Sequence, residues 1–190
     1  DYDRLLTQSL NGTLRQSASY DSIGRVSGLT SALGSFLPSY EGSSLKMLSL
    51  TAFRGGSTFL TTEFGYTPLT QDSQVSQIKN ITADGSIFSQ HDYTYMPAGG
   101  SISSWSQKEE TTAVRTWTFG HDSLDQLTSV DASGVDGGLL PSESYAYDYD
   151  AAGNRVTRQH GMSVVSASHN SLNQLLTQQG GGPVRLAGKV

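Results

Sequence analysis

The segment Tyr145-Ala146-Tyr147-Asp148-Tyr149-Asp150-Ala151-Ala152-Gly153-Asn154-Arg155-Val156 decides the fold of this chain. Its three tyrosines alternate with smaller or polar residues, which places the three rings on one face of a β-strand. Asp150 is typical of the first position of a turn, because its side chain accepts hydrogen bonds from backbone N–H groups further along. Gly153 tolerates the positive φ that closes a short hairpin loop. The segment therefore predicts a strand, a tight loop and a second strand, which together form a β-hairpin.

The same pattern recurs along the chain. An aromatic residue or histidine precedes Asp or Asn, and a residue that tolerates positive φ follows three positions later. The copies are Tyr20–Val26, His121–Leu127, Tyr149–Val156 and His169–Leu175, with Gly24, Asp125, Gly153 and Asn173 at the positive-φ position. Tyr93–Ile102 is a looser copy, and residues 1–5 match the tail of another. Two degenerate copies lie near residues 40–47 and 64–78. A spacing of about 20–28 residues predicts one supersecondary unit per repeat. Residues 1–190 are thus predicted to form a single array of about seven hairpin repeats, degenerate between residues 28 and 78.

The composition agrees with a β-protein that is rich in turns. Of 190 residues, 35% are hydrophobic and 15% charged, below the roughly 45–50% and 25% of an average globular domain. The net charge of −5 provides no basic surface for a phosphate backbone, which argues against nucleic-acid binding. No apolar run approaches the ~20 residues that span a bilayer, which argues against membrane insertion. The absence of cysteine excludes disulfides and thiolate metal sites.

The repeated motif resembles that of the YD-repeat, or Rhs-repeat, family. The residues that carry the resemblance are Tyr20-Asp21 with Gly24-Arg25-Val26, the segment from Tyr147 to Arg155, and Asn170-Ser171-Leu172-Asn173-Gln174-Leu175. The resemblance implies a long ribbon of β-strands wound into a spiral. In larger relatives, the bacterial Rhs and Tc-type toxins and the animal teneurins, it implies a hollow shell, which encloses a variable effector in the toxins and supports adhesion in teneurins. The expected fold class is all-β, with consecutive antiparallel β-hairpin repeats in an open, twisted or spiralling sheet that is a fragment of such a shell.

One departure from the family bears on activity. Relatives that cut themselves carry a repeated Asp-Pro-x-Gly signature, whereas none of the five prolines here follows an aspartate. The resemblance therefore does not extend self-cleavage to this chain. Only seven residues follow Gly180-Gly181-Gly182-Pro183, so no effector domain is expected within these 190 residues.

The motif residues themselves are the candidate site, and their expected role is structural. No catalytic residue, metal ligand set or cofactor is predicted. His121 and His169 stand where the other copies have tyrosine, so a tyrosine substitute is favoured over a metal ligand. Asp148 and Asp150 are two residues apart and would share one face of a strand, although a turn role is favoured for Asp150. The predicted motif residues are Tyr20, Asp21, Gly24, Arg25, Asp122, Asp125, Tyr149, Asp150, Gly153, Arg155, Asn170 and Asn173.

Aromatic residues concentrate in the C-terminal half and have two interpretations. Trp105, Trp117, Tyr145 and Tyr147 are candidates for stacking on a ligand such as a sugar. The favoured alternative is that these rings form the core between repeats, since a stacked repeat buries its own aromatic ladder.

Three functions of different classes follow, in this order of preference. The first is a non-catalytic wall or extracellular scaffold, which in a longer parent protein encloses a toxin effector. The second is an extracellular carbohydrate-binding or adhesive module, and the third is an enzyme that uses Asp148 and Asp150. Because open sheet edges invite pairing, the expected partners are flanking repeats or further copies of the chain, with glycans or an enclosed effector as other candidates. The expected location is secreted or at a bacterial cell surface, although no signal peptide is visible.

Overall fold

The chain folds as consecutive β-hairpins. A computed structural model describes residues 6–97, 100–110 and 112–181. Its strands lie in chain order in an antiparallel sheet, which confirms the predicted all-β class of consecutive hairpins. The strands are β1 Thr7–Leu10, β2 Thr13–Tyr20, β3 Val26–Ser31, β4 Gly34–Tyr40, β5 Met47–Arg54, β6 Ser57–Tyr66, β7 Val75–Thr82, β8 Ile87–Tyr95, β9 Ile102–Glu109, β10 Arg115–His121, β11 Leu127–Ser133, β12 Tyr145–Tyr149, β13 Arg155–His160, β14 Ser163–His169 and β15 Leu175–Gly180; single 3₁₀ turns cover Leu69–Gln71 and Pro141–Glu143.

The chain divides into two compact units, Asp1–Asp92 with Lys108–Thr112 and Tyr93–Gln107 with Ala113–Val190. The first unit contains β1 to β7, the second contains β10 to β15, and β8 and β9 each contribute to both. That residues 1–190 act as a single array stays a prediction. In the parts of the chain described above, no helix has the length and the apolar character needed to cross a membrane.

Two kinds of connection join the strands. Several odd-numbered strands are followed by a two-residue turn; in the turns after β1 and β5, both residues have positive φ, at 51° and 75° for Asn11 and Gly12 and 59° and 82° for Gly55 and Gly56. Such turns match the twist of the flanking strands. Even-numbered strands are followed by longer loops of four or more residues. Because the strands are antiparallel, the loops after even-numbered strands lie at the end opposite to the connections after odd-numbered strands of the same unit. The connections after β7 and β11, residues 83–86 and 134–144, are longer and lie at the same end as the tight turns.

Alternation along the strands gives the sheet of each unit two chemically different faces. In the second unit, Trp105 lies opposite Trp117, which lies opposite Ala132. Phe119, Val130 and Tyr145 form the next such row, since directly opposed residues share a face. We call this side the aromatic face.

One side of the sheet in the first unit carries many serine and threonine residues, and we call it the hydroxyl face. In the first unit, Ser39 lies opposite Ser49, and their hydroxyl oxygens are hydrogen-bonded at 2.7 Å. Thr51 lies opposite Thr61 on the same face. Hydroxyl-rich strands therefore satisfy part of their hydrogen bonding across the sheet.

Little of the described structure is withdrawn from solvent. Val130 and Ala132, on the aromatic face, are the buried apolar residues among those described, with 8% and 0% of their surface exposed. The rings of Trp117, Tyr145 and Tyr147 are half-buried. Stability must therefore come largely from hydrogen bonds and from contacts between neighbouring strands.

Gly34 occupies a position that has no room for a side chain. Its φ is 137°, and a Cβ atom there would collide with the carbonyl oxygen of Phe53. Gly12 also has positive φ, at 75°, but a Cβ there meets no atom within 4 Å. We expect Gly12→Ala to lower the free energy of unfolding by ~1–2 kcal/mol through φ strain alone.

Gly34→Ala should add a further ~1–3 kcal/mol for the overlap with the neighbouring strand. Urea unfolding of the two variants and the wild type measures the difference. Equal losses in both variants would contradict the close approach of β3–β4 and β5.

Candidate functional site: the loops that close the hairpins

The loop after β12 is closed by the side chain of its first residue. Asp150 donates its backbone N–H to the carbonyl oxygen of Asn154 at 2.9 Å, and Gly153 donates to the carbonyl oxygen of Asp150 at 3.0 Å. One carboxylate oxygen of Asp150 also accepts the N–H groups of Ala152 and Asn154, at 3.0 and 2.9 Å. Gly153 has φ of 81°. A single carboxylate thus satisfies the donors that the turn would otherwise leave unpaired.

The other three copies of the motif have the same geometry. The side-chain oxygen of the first residue accepts N–H groups two and four positions later, at 3.1 and 2.8 Å for Asp21, 2.8 and 2.9 Å for Asp122, and 2.9 and 3.0 Å for Asn170. The fourth residue of each loop has positive φ: 89° at Gly24, 59° at Asp125 and 61° at Asn173. The amide of Asn170 therefore replaces the carboxylate with the same backbone geometry.

Two further loops have this backbone although their sequences do not match the repeated motif. The glycine-rich residues 134–138 do predict a hairpin turn. In Thr82–Ser86 and 134–138, the first residue donates to the fifth and the fourth donates to the first, at 2.9–3.0 Å. Here an aspartate stands at the third position: Asp84 accepts the N–H of Ser86, and Asp136 accepts that of Gly138, both at 2.9 Å. The Asp-Gly dipeptide is the signal that would have found both loops.

Three of the loop aspartates are held ionised by these bonds. The side-chain amide of Asn154 lowers the pKa of Asp150 below its ordinary value, helped by backbone N–H groups and by the nearby His169. The Thr82 hydroxyl and the Ser86 N–H lower the pKa of Asp84 in the same way. At Asp21, desolvation raises the pKa, but hydrogen bonds from Arg25 and Ile23 outweigh it and the pKa is lowered.

Tyrosine hydroxyls connect each loop to the preceding repeat. The residue just before the loop donates its hydroxyl to a backbone carbonyl: Tyr40 to Val26 at 3.0 Å, Tyr66 to Met47 at 2.6 Å and Tyr149 to Leu127 at 2.9 Å. In each case the acceptor is the first residue of the strand that precedes the tyrosine's own strand and pairs with it, namely β3, β5 and β11. We call this hydrogen bond the tyrosine clamp. It joins one hairpin to the one before it within each unit.

Side chains at the ends of the loops add a second connection between repeats. The guanidinium of Arg25, which is paired with Asp21 at 2.6 Å, donates to the Gly42 carbonyl of the next long loop at 2.8 Å and lies 4.6 Å from the centre of the Tyr40 ring. Asn154 donates to the side chain of Asn173 at 3.1 Å. Hydrogen bonds therefore connect each of these loops to the next one at the same end of the strands.

Histidine replaces the clamping tyrosine in two repeats. His121 and His169 end β10 and β14, at the position that Tyr149 occupies at the end of β12. Their Nδ1 atoms are buried and have no hydrogen-bond partner. These two joints lack the hydroxyl that the clamp requires.

The remaining predicted residues are placed as follows. Tyr20 ends β2, and the guanidinium of Arg155 lies 5.8 Å from the Tyr147 ring. Asp148 accepts a hydrogen bond from Thr157 at 2.6 Å, whereas the carboxylate of Asp150 faces its own loop. The described residues contain no cluster of three or more His, Cys, Asp or Glu side chains suited to a metal ion.

The candidate stacking residues mostly contact one another. The rings of Trp105 and Trp117 are stacked with centres 4.5 Å apart. Tyr145 stacks on His160 at 4.3 Å and lies parallel to Tyr147 at 6.3 Å. The ring faces are thus used between neighbouring strands, as expected for an aromatic ladder.

The lowered pKa values lead to a test with an internal control. Because the folded pKa of Asp150 lies below its unfolded value of 3.8, the stabilisation is present above about pH 4 and is lost as pH falls through the folded pKa. We expect the amide resonances of Ala152 and Asn154 to shift with this titration in NMR spectra. The equivalent amides of Leu172 and Gln174 bond to the Asn170 side chain, so they should not respond to a side chain that does not ionise.

Asp150→Asn should retain the loop and abolish the shift at Ala152 and Asn154. If these amides still titrate below pH 4 in that variant, another group is responsible.

The clamp is tested by removing and adding a hydroxyl. Tyr149→Phe should lower the free energy of unfolding by ~0.5–1.5 kcal/mol, because the Leu127 carbonyl loses its donor. His169→Tyr places a hydroxyl at a joint without one and should raise stability by a similar amount. Urea denaturation at neutral pH measures both.

Tyr147→Phe is the matched control for the loss of a hydroxyl from the same strand, and it should change stability by less than Tyr149→Phe. A larger loss for Tyr147→Phe would show that the Tyr149 hydroxyl is not the important one.

No family model and no curated protein sequence matches the chain. Among solved structures it is similar to a crystal structure of TcdB2-TccC3-Cdc42 (TM-score 0.40, 16% identity, 89% of this chain and 11% of that chain) and to one of TcdB2-TccC3-TEV (0.41, 16%, 93% and 10%). It is also similar to a porin-like protein from Bacteroides uniformis (0.39, 17%, 83% and 54%). The chain spans about a tenth of the length of the first two. In its motif and its consecutive hairpins, the chain resembles the YD-repeat family.

Proposed function

We propose that this chain is a non-catalytic structural segment whose hairpins form part of a β-wall. The observation that carries the proposal is the tyrosine clamp, with hydroxyl-to-carbonyl distances of 2.6–3.0 Å in three repeats. A repeat protein in which each unit contacts its neighbours is stabilised mainly by such interfaces. The most regular side chains of the motif therefore act in holding one repeat to the next.

The hydrogen bonds of the candidate acid pair, Asp148 and Asp150, support a structural role. Asp150 accepts hydrogen bonds from its own loop, and its pKa is lowered by Asn154. A general acid needs a raised pKa near neutrality, which is the opposite shift. Asp148 is bonded to Thr157.

In a longer parent protein, the segment would form part of a shell or an extracellular scaffold, secreted or at the surface of a bacterium. This role follows from the resemblance of the motif to the YD-repeat family, and enclosure of a toxin effector is its most specific form. A wall continues by pairing its edge strands with further strands. The partners proposed are therefore flanking repeats or another copy of this chain.

The last strand of the described residues, β15, suits such pairing. All six residues of Leu175–Gly180 are exposed, and the stretch from Gln159 to Gly181 contains no Asp, Glu, Lys or Arg. Charged residues are the usual defence of an exposed edge. Pairing through β15 thus meets no electrostatic opposition from this stretch.

A carbohydrate-binding or adhesive module remains the alternative. Its candidate platform is Trp105, Trp117, Tyr145 and Tyr147, whose rings mostly stack on each other. A saturable change in tryptophan fluorescence on adding oligosaccharides would favour this alternative over a plain wall.

Light scattering of the purified chain tests whether copies of the chain associate through β15. We expect the average mass to rise with protein concentration and Leu176→Lys, in the middle of β15, to suppress that rise, because a lysine on an edge strand opposes pairing. Leu45→Lys is the control: it makes the same change at a loop residue that is 81% exposed.

A chain that stays monomeric at high concentration, or association that both variants reduce equally, would contradict pairing through β15.

A further inference from the structure

The hydroxyl face of the first unit carries a row of three hydroxyl-bearing side chains that ends in a phenylalanine. Ser17 lies opposite Thr30, Thr30 opposite Ser35 and Ser35 opposite Phe53, so four neighbouring strands contribute one residue each. With strands ~4.8 Å apart, the row extends for about 14 Å. It runs from three hydroxyls to one phenyl ring.

The row lies in a groove of about 550 Å³. Gly28 forms part of its floor: a Cβ atom there would lie 2.9 Å from the Ser19 hydroxyl and 3.3 Å from the Leu37 side chain. Gly55 and Gly56, at the adjoining turn, leave the end of the groove open. The volume is within the range of small-molecule sites.

The chemistry of the lining selects a class of ligand. All lining residues are Ser, Thr, Gly, Ala, Leu or Phe, so no ionisable side chain contributes. A charged ligand would lose hydration here without gaining a counter-charge. Serine and threonine hydroxyls both donate and accept hydrogen bonds, which suits a ligand that is itself rich in hydroxyls. The half-buried Phe53 ring offers an apolar surface for the C–H side of a sugar ring.

We propose that this groove binds a neutral saccharide of about two sugar units. The site is separate from the stacking candidates Trp105, Trp117, Tyr145 and Tyr147, because its residues come from β2 to β5 and the turns between them. It goes beyond the wall proposed above and does not require it. The structural segment would thereby carry a recognition site on the face that its clamps leave unused.

Saturation-transfer difference NMR and calorimetry on the full chain test the proposal, with cellobiose and N,N′-diacetylchitobiose as neutral probes and a glucuronic acid disaccharide as the charged comparison. We expect saturable binding of at least one neutral probe and weaker binding of the charged one. Phe53→Ala should weaken binding by about threefold to tenfold, the amount that a ring contact contributes.

Thr30→Val keeps the shape of the side chain and removes its hydroxyl, so it tests the site if Phe53→Ala impairs folding. It should also weaken binding, whereas Trp105→Ala, in the second unit, should leave binding unchanged. Absence of saturable binding by both neutral probes would overturn the proposal. Binding that is lost in Trp105→Ala and retained in Thr30→Val would overturn it too, because the sugar would then lie on the aromatic face.

Discussion

The hydrogen bonds from one Asp or Asn side chain to the backbone of its own loop are the interaction on which the rest of the structure depends. At Asp150 they end β12, reverse the chain within five residues and satisfy the backbone N–H groups of Ala152 and Asn154. The sheet register shifts between Asp148 and Tyr149, immediately before the loop. A bulge of this kind re-aims the side chain at its position. The loop thus places the Tyr149 hydroxyl where it meets the previous repeat.

This arrangement explains why a sheet with little buried apolar surface can hold together. A typical domain buries its apolar residues between two layers, whereas here only Val130 and Ala132 among the described apolar residues are buried. Each repeat instead contributes local loop closure, one clamp and pairing with its neighbours. The low apolar and charged fractions of the sequence agree with a fold that is held together in this way.

Much of the fold could be predicted because the information is local. The strand, the Asp and the positive-φ residue stand within a few positions of each other, so Asp21 and Asp150 identify their loops from sequence alone. The loops at Asp84 and Asp136 do not match the motif because the same backbone is closed there by an aspartate in the third position, although the glycines of residues 134–138 do predict a turn. Between residues 28 and 78 the loops are longer, and at Glu41 an ion pair with Lys46 at 3.1 Å replaces the short carboxylate contact. The fixed spacing between the Asp or Asn and the positive-φ residue is therefore not found in that part of the sequence.

The tyrosine clamp and the groove could not be predicted in this way. Tyr149 and Leu127 are 22 residues apart, and their contact depends on the register of the strands between them. Ser17, Thr30, Ser35 and Phe53 become neighbours only once four strands are paired. Sequence alternation shows which face a residue occupies, but register decides which residues meet.

The small amount of buried apolar surface also shapes the response of the protein to temperature. Unfolding raises the heat capacity of a typical domain by about 12–15 cal/mol/K per residue, mainly because apolar groups become hydrated. When the apolar residues of a folded sheet are already largely hydrated, unfolding raises the heat capacity by less. The free energy of unfolding then changes less steeply with temperature. The same feature that leaves the sheet without a thick core thus spreads its stability over a broad range of temperature, including the cold.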